Sequence, residues 1–599
     1  MKNIKAITAG LMIMALPLAC MTSCSDSYME DVNTDKTKPS DINPNAQLTT
    51  GLLQTYGDFG LMDAYRCYVT GFTQHFSGGW NVCNYAGAVN ADNDMMRTIW
   101  DEYYNVAIKN MVDAISRTED QPNLNAMLRI HRAYIMAVLT DTYGDVPCSE
   151  AGYGYLKHIA NPKYDTQEDI YYWIFDELET CISQLGGSDK VTGDVTAYNG
   201  DAAKWKKYAN SLRMRYAMRI SDVDPVKAKT EFEKALAAPC GYISSFEDNA
   251  YIRYMDSPFT LYDGARDLDF RANALGEMLY GQDASSPTFI CATFFEMMKA
   301  NGDPRLYRIC RHYNNIKRSA ASADDAGNLD FTDEVIAYQN SPAGVKQIDG
   351  GYTYACIPGA AWYSAPKKVV EGDVLLSKWV QIEDADIATY IPRLAQLIAD
   401  DPNGGYKTDN YHNRMLRPAL SIKLEKAECP GVLMTNAEVE FLLAEAKMLG
   451  WGVDGEVAEH YEAGIRGAMK MLCTYYDVTP ITDDEINLYI QNNPVGTTAE
   501  QQKERINTEA WILHTMNPAE AWANMRRSDY PVLIDRNKYE VTDFISDDTN
   551  MTTPVRLKYP SLEAKYNSVN YQKALDRMDG IDDWHHRVWW DTADNTHLK

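Results

Sequence analysis

This chain of 599 residues contains no sequence motif typical of a catalytic or metal-binding site. His585 and His586 are adjacent, so on a regular element their side chains point to different sides and chelate a metal poorly. The sequence has no phosphate-binding G-x-x-x-x-G-K-[ST] loop, no G-x-G-x-x-G after a strand and no G-x-S-x-G nucleophile elbow. Local patterns therefore support neither a zinc site nor an enzyme of these classes, and we predict no catalytic residues.

One short acidic turn contains residues of the type that bind calcium. Asn90, Asp92 and Asp94 alternate as in the first half of a calcium-binding loop. The sixth position is Met95 instead of glycine and the twelfth is Asp101 instead of glutamate, which favours a solvated acidic turn. We therefore predict no cofactor and no metal ligand, and leave open a structural calcium site built from distant residues.

Aromatic residues in two irregular, glycine-rich segments are the best candidates for binding a ligand. The chain has 40 tyrosines and 12 tryptophans, and such amphipathic rings are enriched where proteins meet ligands. Rings on predicted helices fall on apolar stripes, whereas rings in the segments 77–94 and 350–366 have no stripe to join. The predicted ligand-binding residues are Trp80, Asn84, Tyr85, Asp92, Tyr352, Trp362 and Tyr363. If these rings pack against the scaffold instead, the segment 251–269 is the next candidate.

Net charge and the N-terminus restrict the partners and the location of the protein. The net charge is −27, which would repel a phosphate backbone, so we expect no nucleic-acid partner. Two lysines precede an apolar run at 7–19 that is too short to span a bilayer as a mature helix and is typical of an export signal. Residues 1–24 are therefore predicted to be a signal ending at a lipid-modified Cys24. Cys20 is the competing lipidation site, and an ordinary secreted protein is the alternative.

Helical hairpins are the elements that would position the ligand loops. Between 435 and 472, apolar residues recur at the spacing of one helix face, stop at Gly450 and resume at Val457. Thr435 and Glu438 are expected to form a capping box, and Asn517 to cap a later helix. Further helices are predicted at 47–76, 100–115, 124–142, 171–185, 198–221, 228–236 and 294–300.

Between 239 and 434 the helical periodicity largely lapses. Such a long insertion in a compact domain suggests a functional role. We predict one domain over 25–599, with hairpins at about 100–238 and 435–530 and a loop-rich ligand side at about 239–434. Trp205 is expected in the core. Arg213, Arg215 and Arg219 are expected at interfaces between hairpins. The cysteines from 67 to 473 are scattered, and several in predicted helices are expected to be buried free thiols.

Several segments resemble the SusD/RagB family of outer-membrane nutrient-binding lipoproteins. They include the YGDVP-x-x-EA turn from 143, GD-x-x-KW-x-K-x-ANSLR-x-R from 200, AEVEFLLAEAKMLG followed by HYEAGI, and a P-x-R-x-x-YP-x-x-E-x-x-x-N ending. The resemblance implies a mainly α, SusD-like fold. In that fold, tetratricopeptide-like hairpins form a scaffold beside a loop-rich region with few short strands. The SDSYMED stretch after Cys24 resembles the surface-export tag of Bacteroidetes lipoproteins.

The resemblance also implies a function. It implies that the protein is a lipid-anchored, cell-surface protein of the outer membrane and not an enzyme. Such a protein binds oligosaccharides and delivers them to a SusC-like TonB-dependent transporter. Sugar rings have apolar faces that stack on Trp and Tyr, and their hydroxyls bond to polar side chains. A peptide-binding lid of the same transporter type is one alternative. A helical glycoside hydrolase is another, because 84 acidic residues could supply a carboxylate pair.

Overall fold

A computed structural model describes residues 42–78, 92–256, 270–279, 288–313, 332–342, 366–368, 384–400, 417–421, 423–533, 540–541 and 553–592. Within these ranges the fold is mainly α with a few short strands, which confirms the predicted fold class. A large hydrophobic core runs from Leu48 to Trp590, and a smaller cluster lies around Phe441 and Tyr461. None of the described helices is long and apolar enough to cross a membrane.

The N-terminal part consists of short helices with two π-helical segments. The α-helices are α1 (Pro44–Gly57), α2 (Phe59–Ala64), α3 (Thr70–Phe72), α4 (Asn93–Met96), α5 (Thr98–Glu102) and α6 (Lys109–Ser116). The helical prediction at 47–76 holds for most of that range, but the helix is interrupted at Asp58, which follows α1 and caps α2 by accepting a hydrogen bond from the Leu61 amide at 2.8 Å. Tyr65–Val69 and Tyr103–Ile108 are π-helical, which the sequence pattern did not reveal.

The central part contains the first helical hairpins. Its helices are α7 (Pro122–Tyr143), α8 (Gly154–Lys157), α9 (Gln167–Gln184), α10 (Ala202–Arg219) and α11 (Pro225–Leu236). Helix α10 begins four residues later than predicted because the Asp201 side chain accepts the amides of Ala203 and Lys204 and so acts as the N-cap. Trp205 is fully buried, as predicted, and its indole N–H donates to Asp194 at 2.8 Å.

The region from 239 to 434 contains short helices and most of the strands. Its helices are α12 (Ala274–Leu279), α13 (Ala292–Ala300), α14 (Leu306–Ile309), α15 (Thr332–Gln339), α16 (Asp384–Tyr390) and α17 (Pro392–Asp400). Six strands lie in the described part of this region: β2 (Ala250–Ile252), β3 (Thr288–Ile290), β4 (Cys310–Tyr313), β5 (Pro366–Lys368), β6 (Arg417–Leu420) and β7 (Gly431–Met434). Strand β1 (Phe76–Gly78) precedes the region and β8 (Glu540–Val541) follows it. The strands pair antiparallel as β1–β3, β2–β7, β4–β6 and β5–β8.

The C-terminal part returns to helices. These are α18 (Asn436–Met448), α19 (Val457–Tyr475), α20 (Asp483–Asn492), α21 (Ala499–Leu513), α22 (Pro518–Ser528), α23 (Glu563–Tyr566) and α24 (Ser568–Asp576). Asn517 caps α22, as predicted. The capping box predicted at α18 is only half formed. Thr435 accepts the Glu438 amide at 3.2 Å, but the Glu438 carboxylate bonds to Arg215 instead of reaching back.

Buried arginines join the hairpins, as predicted. Each pairs with a carboxylate on another helix: Arg213 with Glu231 at 2.6 Å, Arg215 with Glu438 at 2.5 Å, Arg219 with Glu520 at 2.5 Å and Arg527 with Glu445 at 2.7 Å. Both side chains of every pair are at most 10% exposed. The pairs therefore fix which helices pack together.

The cysteines of the described residues are free thiols. Cys67 and Cys181 lie inside helices and are buried, as expected, whereas the buried Cys148, Cys291, Cys310 and Cys429 lie outside helices. Burial raises the pKa of the Cys148 and Cys181 thiols to about 12, so both stay protonated and unreactive at neutral pH.

Candidate functional site

An open pocket of about 640 Å³ lies where β2, β7 and the end of α19 meet. We call it the aromatic pocket because three half-buried rings, Phe246, Tyr251 and Tyr475, line it. Its other lining residues are Ala197, Lys204, Glu247, Asn249, Arg253, Tyr254, Glu428, Pro430 and Thr474. Its volume is within the usual range for small-molecule sites, roughly 300–1,000 Å³.

Strand β2 determines the direction of Tyr251. In the antiparallel pair with β7, Tyr251 is opposite Val432. Side chains alternate between the faces of a strand, so Ala250 and Ile252 are buried in the core while Tyr251 points to the other face and stays half-buried. The Tyr251 ring therefore lies on the face of β2 opposite to the core.

The other two rings come from distant parts of the chain. Phe246 begins the 3₁₀ turn Phe246–Asp248, and Tyr475 is the last residue of α19. The centroid of the Tyr475 ring is 4.9 Å from that of Tyr251 and 5.3 Å from that of Phe246, with tilted planes. Rings at such distances attract one another, so the three form one continuous aromatic surface.

Asn249 holds this surface against the scaffold. Its side-chain amide donates to the Tyr475 hydroxyl at 3.0 Å, and its carbonyl oxygen accepts the Asn436 backbone amide, at the start of α18, at 2.7 Å. Burial raises the pKa of Tyr475 above its usual value, so the phenol is protonated at neutral pH. Because its oxygen accepts from Asn249, the O–H is oriented to donate elsewhere.

Charged side chains surround the rings. Lys470 lies 4.4 Å from the centre of the Phe246 ring, a cation–π contact, and its ammonium is 4.0 Å from Glu247. The second carboxylate of the pocket, Glu428, is 3.7 Å from Lys426. The pocket therefore combines apolar ring faces with hydrogen-bonding and ionic groups, the composition of a site for a polar ligand that has apolar faces.

The lining of the pocket contains no serine, cysteine or histidine, and its carboxylates are Glu247 and Glu428. Among the described residues, no three His, Cys, Asp or Glu side chains are grouped closely enough to hold a metal ion. In the predicted acidic turn, Arg97 contacts Asp94 at 3.1 Å and Asp101 at 2.7 Å, so these carboxylates already have a cationic partner.

Six of the seven predicted ligand residues lie outside the described residues. They are Trp80, Asn84 and Tyr85 in 79–91, and Tyr352, Trp362 and Tyr363 in 343–365, and Cys24 is also outside. The seventh, Asp92, is the N-cap of α4, where its carboxylate accepts the amides of Asp94 and Met95 at 2.9 and 3.4 Å. Its carboxylate therefore has a structural role, and the ligand role of all seven residues stays a prediction.

Sequence reasoning named only part of the aromatic pocket. Tyr251 begins the segment given as the next candidate, but Phe246 and Tyr475 were missed. Tyr475 carried a detectable signal, since the apolar stripe of α19 continues from Leu472 to the buried Tyr476 and leaves Tyr475 beside it. Phe246 carried none, because its neighbours form an irregular turn.

Comparison with known proteins identifies the family. The sequence profile described as "Starch-binding associating with outer membrane" matches residues 38–349 and 353–560. No curated protein matches. Among solved structures, "Bacteroidetes AC2a SusD-like" is 38% identical, covers 92% of this chain and 100% of its own, and superposes with a TM-score of 0.79. A second, named only as a "chitin-binding protein", is 28% identical over 92% of this chain and 100% of its own, with a TM-score of 0.68.

A more distant structure agrees in fold. The chitin-binding SusD homologue from Flavobacterium johnsoniae is 20% identical, covers 92% of this chain and 100% of its own, and gives a TM-score of 0.62. At that identity the match supports the fold alone. The profile match over most of the chain, together with the 38% identical structure, confirms the resemblance drawn from the motifs. The chain belongs to the SusD-like family, whose members are described as starch-binding and associated with the outer membrane.

Proposed function

We propose that this protein binds oligosaccharides at the cell surface and delivers them to a SusC-like TonB-dependent transporter of the outer membrane. The aromatic pocket is the observation that carries this proposal. It offers three half-buried rings beside amide, carboxylate and ammonium groups. The family description and the 28% identical relative, which name starch and chitin, support a glycan as the ligand.

The physical argument rests on the two faces of a sugar. The C–H face of a pyranose ring loses contact with water when it stacks on an aromatic ring, and the ring hydroxyls need hydrogen-bond partners at its edge. The Tyr475 hydroxyl, held in place by Asn249, supplies such a partner next to the rings. One aromatic surface of this size suits a micromolar to millimolar affinity, around −8 to −4 kcal/mol. Weak binding fits a protein that must release its ligand to a partner.

A panel of soluble glycans and peptides, titrated against the chain lacking residues 1–24, tests the proposal. We expect at least one glycan to bind and to be recovered at its original length. Peptide binding with no glycan binding would favour the peptide-binding lid instead. Shortened glycan products would favour the hydrolase. Calorimetry for binding and chromatography of the recovered glycan separate the three results.

Two sets of aromatic residues compete for the ligand, and paired variants decide between them. The double variant Tyr251→Ala/Tyr475→Ala removes two rings of the aromatic pocket, and Trp80→Ala/Trp362→Ala removes the two predicted loop tryptophans. Binding lost only in the first variant assigns the ligand to the pocket, and binding lost only in the second assigns it to the loops. Thermal melting of both variants shows whether either loss is merely unfolding.

The proposed anchor is a lipid on Cys24. Each buried methylene contributes about 0.8 kcal/mol, so several acyl chains should hold the protein on the membrane durably. Cys24→Ala should move the protein to the soluble fraction, whereas Cys20→Ala should not. The opposite pattern would assign the lipid to Cys20.

The proposed partner follows from the ligand. An oligosaccharide has many hydroxyls whose transfer into lipid without hydrogen bonds is costly, so it needs a protein path across the membrane. Gentle detergent extraction should recover this protein together with a large β-barrel. Recovery of the protein alone under several mild detergents would contradict the partnership.

A further inference from the structure

Two cations of the aromatic pocket differ from the other charged groups around it. Lys204 and Arg253 both line the pocket, and in the described part of the chain no carboxylate lies within 4.0 Å of either cationic group. By contrast, both carboxylates of the lining have a lysine within that distance: Glu247 has Lys470, and Glu428 has Lys426. Each lining carboxylate therefore has a lysine within 4.0 Å, whereas neither lining cation has a carboxylate that close in the described part of the chain.

Both cations keep hydrogen-bonding capacity. The Lys204 ammonium donates to the backbone carbonyl of Glu247 at 3.0 Å, which uses one of its three N–H groups. The Arg253 guanidinium makes one long contact, from Nε to the Val195 carbonyl at 3.5 Å, and has five N–H groups in all. Neutral backbone carbonyls do not compensate a full positive charge, so both groups remain available to an anion.

The position of these two cations matters more than their number. Lys204 and Arg253 both line the pocket that the aromatic rings line, so a ligand stacked on the rings would lie close to them. A fixed positive site of this kind attracts a complementary anionic group on a ligand.

We infer that the aromatic pocket takes an acidic oligosaccharide, with its sugar face on Tyr251 and Tyr475 and its anionic group between Lys204 and Arg253. The inference rests on the proposed glycan-binding function and specifies the ligand class. A guanidinium pairs with a planar carboxylate through two parallel N–H bonds, and an ammonium acts as a point charge. A uronic acid carboxylate and a sulfate ester share this chemistry, and the carboxylate matches the Arg253 fork better.

The test compares ligands that differ only in charge. Oligosaccharides of galacturonic, glucuronic and mannuronic acid are titrated beside their carboxyl-reduced forms, which have the same length and linkage, and beside a sulfated galacto-oligosaccharide. We expect at least one uronic acid oligosaccharide to bind about tenfold or more tightly than its reduced form. The preference should shrink when sodium chloride is raised from 50 to 500 mM, because salt screens exposed charges.

Variants assign the preference to the two side chains. Lys204→Gln and Arg253→Gln should each reduce affinity for the acidic ligand about tenfold and leave affinity for its reduced form unchanged. Lys206→Gln is the matched control, since Lys206 is on the same helix, also has no carboxylate within 4.0 Å in the described residues and does not line the pocket. It should change neither affinity.

The outcomes separate this inference from the proposed function. Equal or tighter binding of the reduced or other neutral glycans would overturn the acidic-ligand inference while leaving glycan binding intact. Preference for the sulfated ligand over every uronic acid would keep the anionic class and reject the carboxylate. No binding of any glycan, with or without binding of acidic peptides, would overturn both. An equal loss in Lys206→Gln would show a general charge effect and reject the assignment to Lys204 and Arg253.

Discussion

Charge is used differently in the scaffold and in the aromatic pocket. Arg215 is 2% exposed and its carboxylate partner Glu438 6%, with 2.5 Å between their closest atoms. Removing charges from water is costly, and a partner of opposite charge with good hydrogen-bond geometry offsets part of that cost. Arg253 is exposed, where water solvates it and no protein partner is required. The Arg215–Glu438 pair is therefore buried between helices, whereas the Arg253 guanidinium lies at the surface, where a ligand can reach it.

Aromatic rings follow the same division. Trp205 and Trp511 are at most 1% exposed, and the indole N–H of each donates to a protein oxygen, at 2.8 and 3.0 Å. Tyr251 and Phe246 remain half-buried at the pocket. Substitutions in the scaffold should therefore lower stability, and substitutions in the pocket should lower ligand affinity. Four predictions test this distinction.

The largest effect is expected at Trp205. Trp205→Ala removes a fully buried indole and leaves Asp194 without that donor. The free energy of unfolding should fall by about 3–5 kcal/mol, as for other large core truncations. Urea unfolding measures the change. Tyr566→Ala is the control, because Tyr566 is 64% exposed and its loss should change stability little. Ligand binding lost without any loss of stability would overturn the scaffold role of Trp205.

Arg215→Met should be nearly as damaging. It leaves the buried Glu438 carboxylate without its arginine, and breaking a buried pair in this way costs about 3–5 kcal/mol. The double variant Arg215→Met/Glu438→Leu should recover much of the loss, because it also removes the carboxylate that Arg215 pairs with; Glu520 keeps its pair with Arg219. In contrast, Lys229→Met breaks the exposed pair with Glu233 and should cost about 0–1 kcal/mol. A similar loss at both sites would contradict the distinction between buried and exposed pairs.

Acid should weaken the scaffold through the same carboxylate. Burial alone would raise the pKa of Glu438, but Arg215 and His514 outweigh it and lower the pKa to about 2 from an ordinary value of 4.5. Because the folded pKa lies below the unfolded one, the stabilisation is present above about pH 4.5 and is lost as the pH falls toward 2. Unfolding free energies measured from pH 7 to pH 3 should fall more steeply in wild type than in Glu438→Gln. Equal slopes would exclude Glu438 as a source of acid sensitivity.

Much of the helical scaffold could be predicted from sequence because the information is local. Apolar spacing, the glycine after α18 and the Asn517 cap each act within a few residues, and the corresponding helices are present. The lost half of the capping box has another cause. Glu438 bonds to Arg215, 223 residues away in the sequence, and that tertiary contact displaced a local one.

The aromatic pocket could not be predicted in the same way. Its three rings come from a 3₁₀ turn, a strand and the last residue of a helix, and only the folded chain brings Tyr475 within 5.3 Å of the other two. The spacing of apolar residues in α19 indicates that Tyr475 lies beside the buried face of the helix. It does not indicate which residues the Tyr475 ring contacts. The unpaired state of Lys204 and Arg253 also depends on which carboxylates are near in space.

The smallest predicted effect separates a pocket ring from a scaffold ring. Tyr251→Ala should weaken binding of the glycan identified in the panel by about 0.5–1.5 kcal/mol beyond the loss of buried area, because a stacking surface is removed. Tyr251→Phe keeps the ring and should retain most of the affinity. Both variants should melt close to wild type, because the Tyr251 side chain points away from the core side of β2. A clear drop in melting temperature for Tyr251→Ala with unchanged affinity would show that Tyr251 packs as the scaffold rings do.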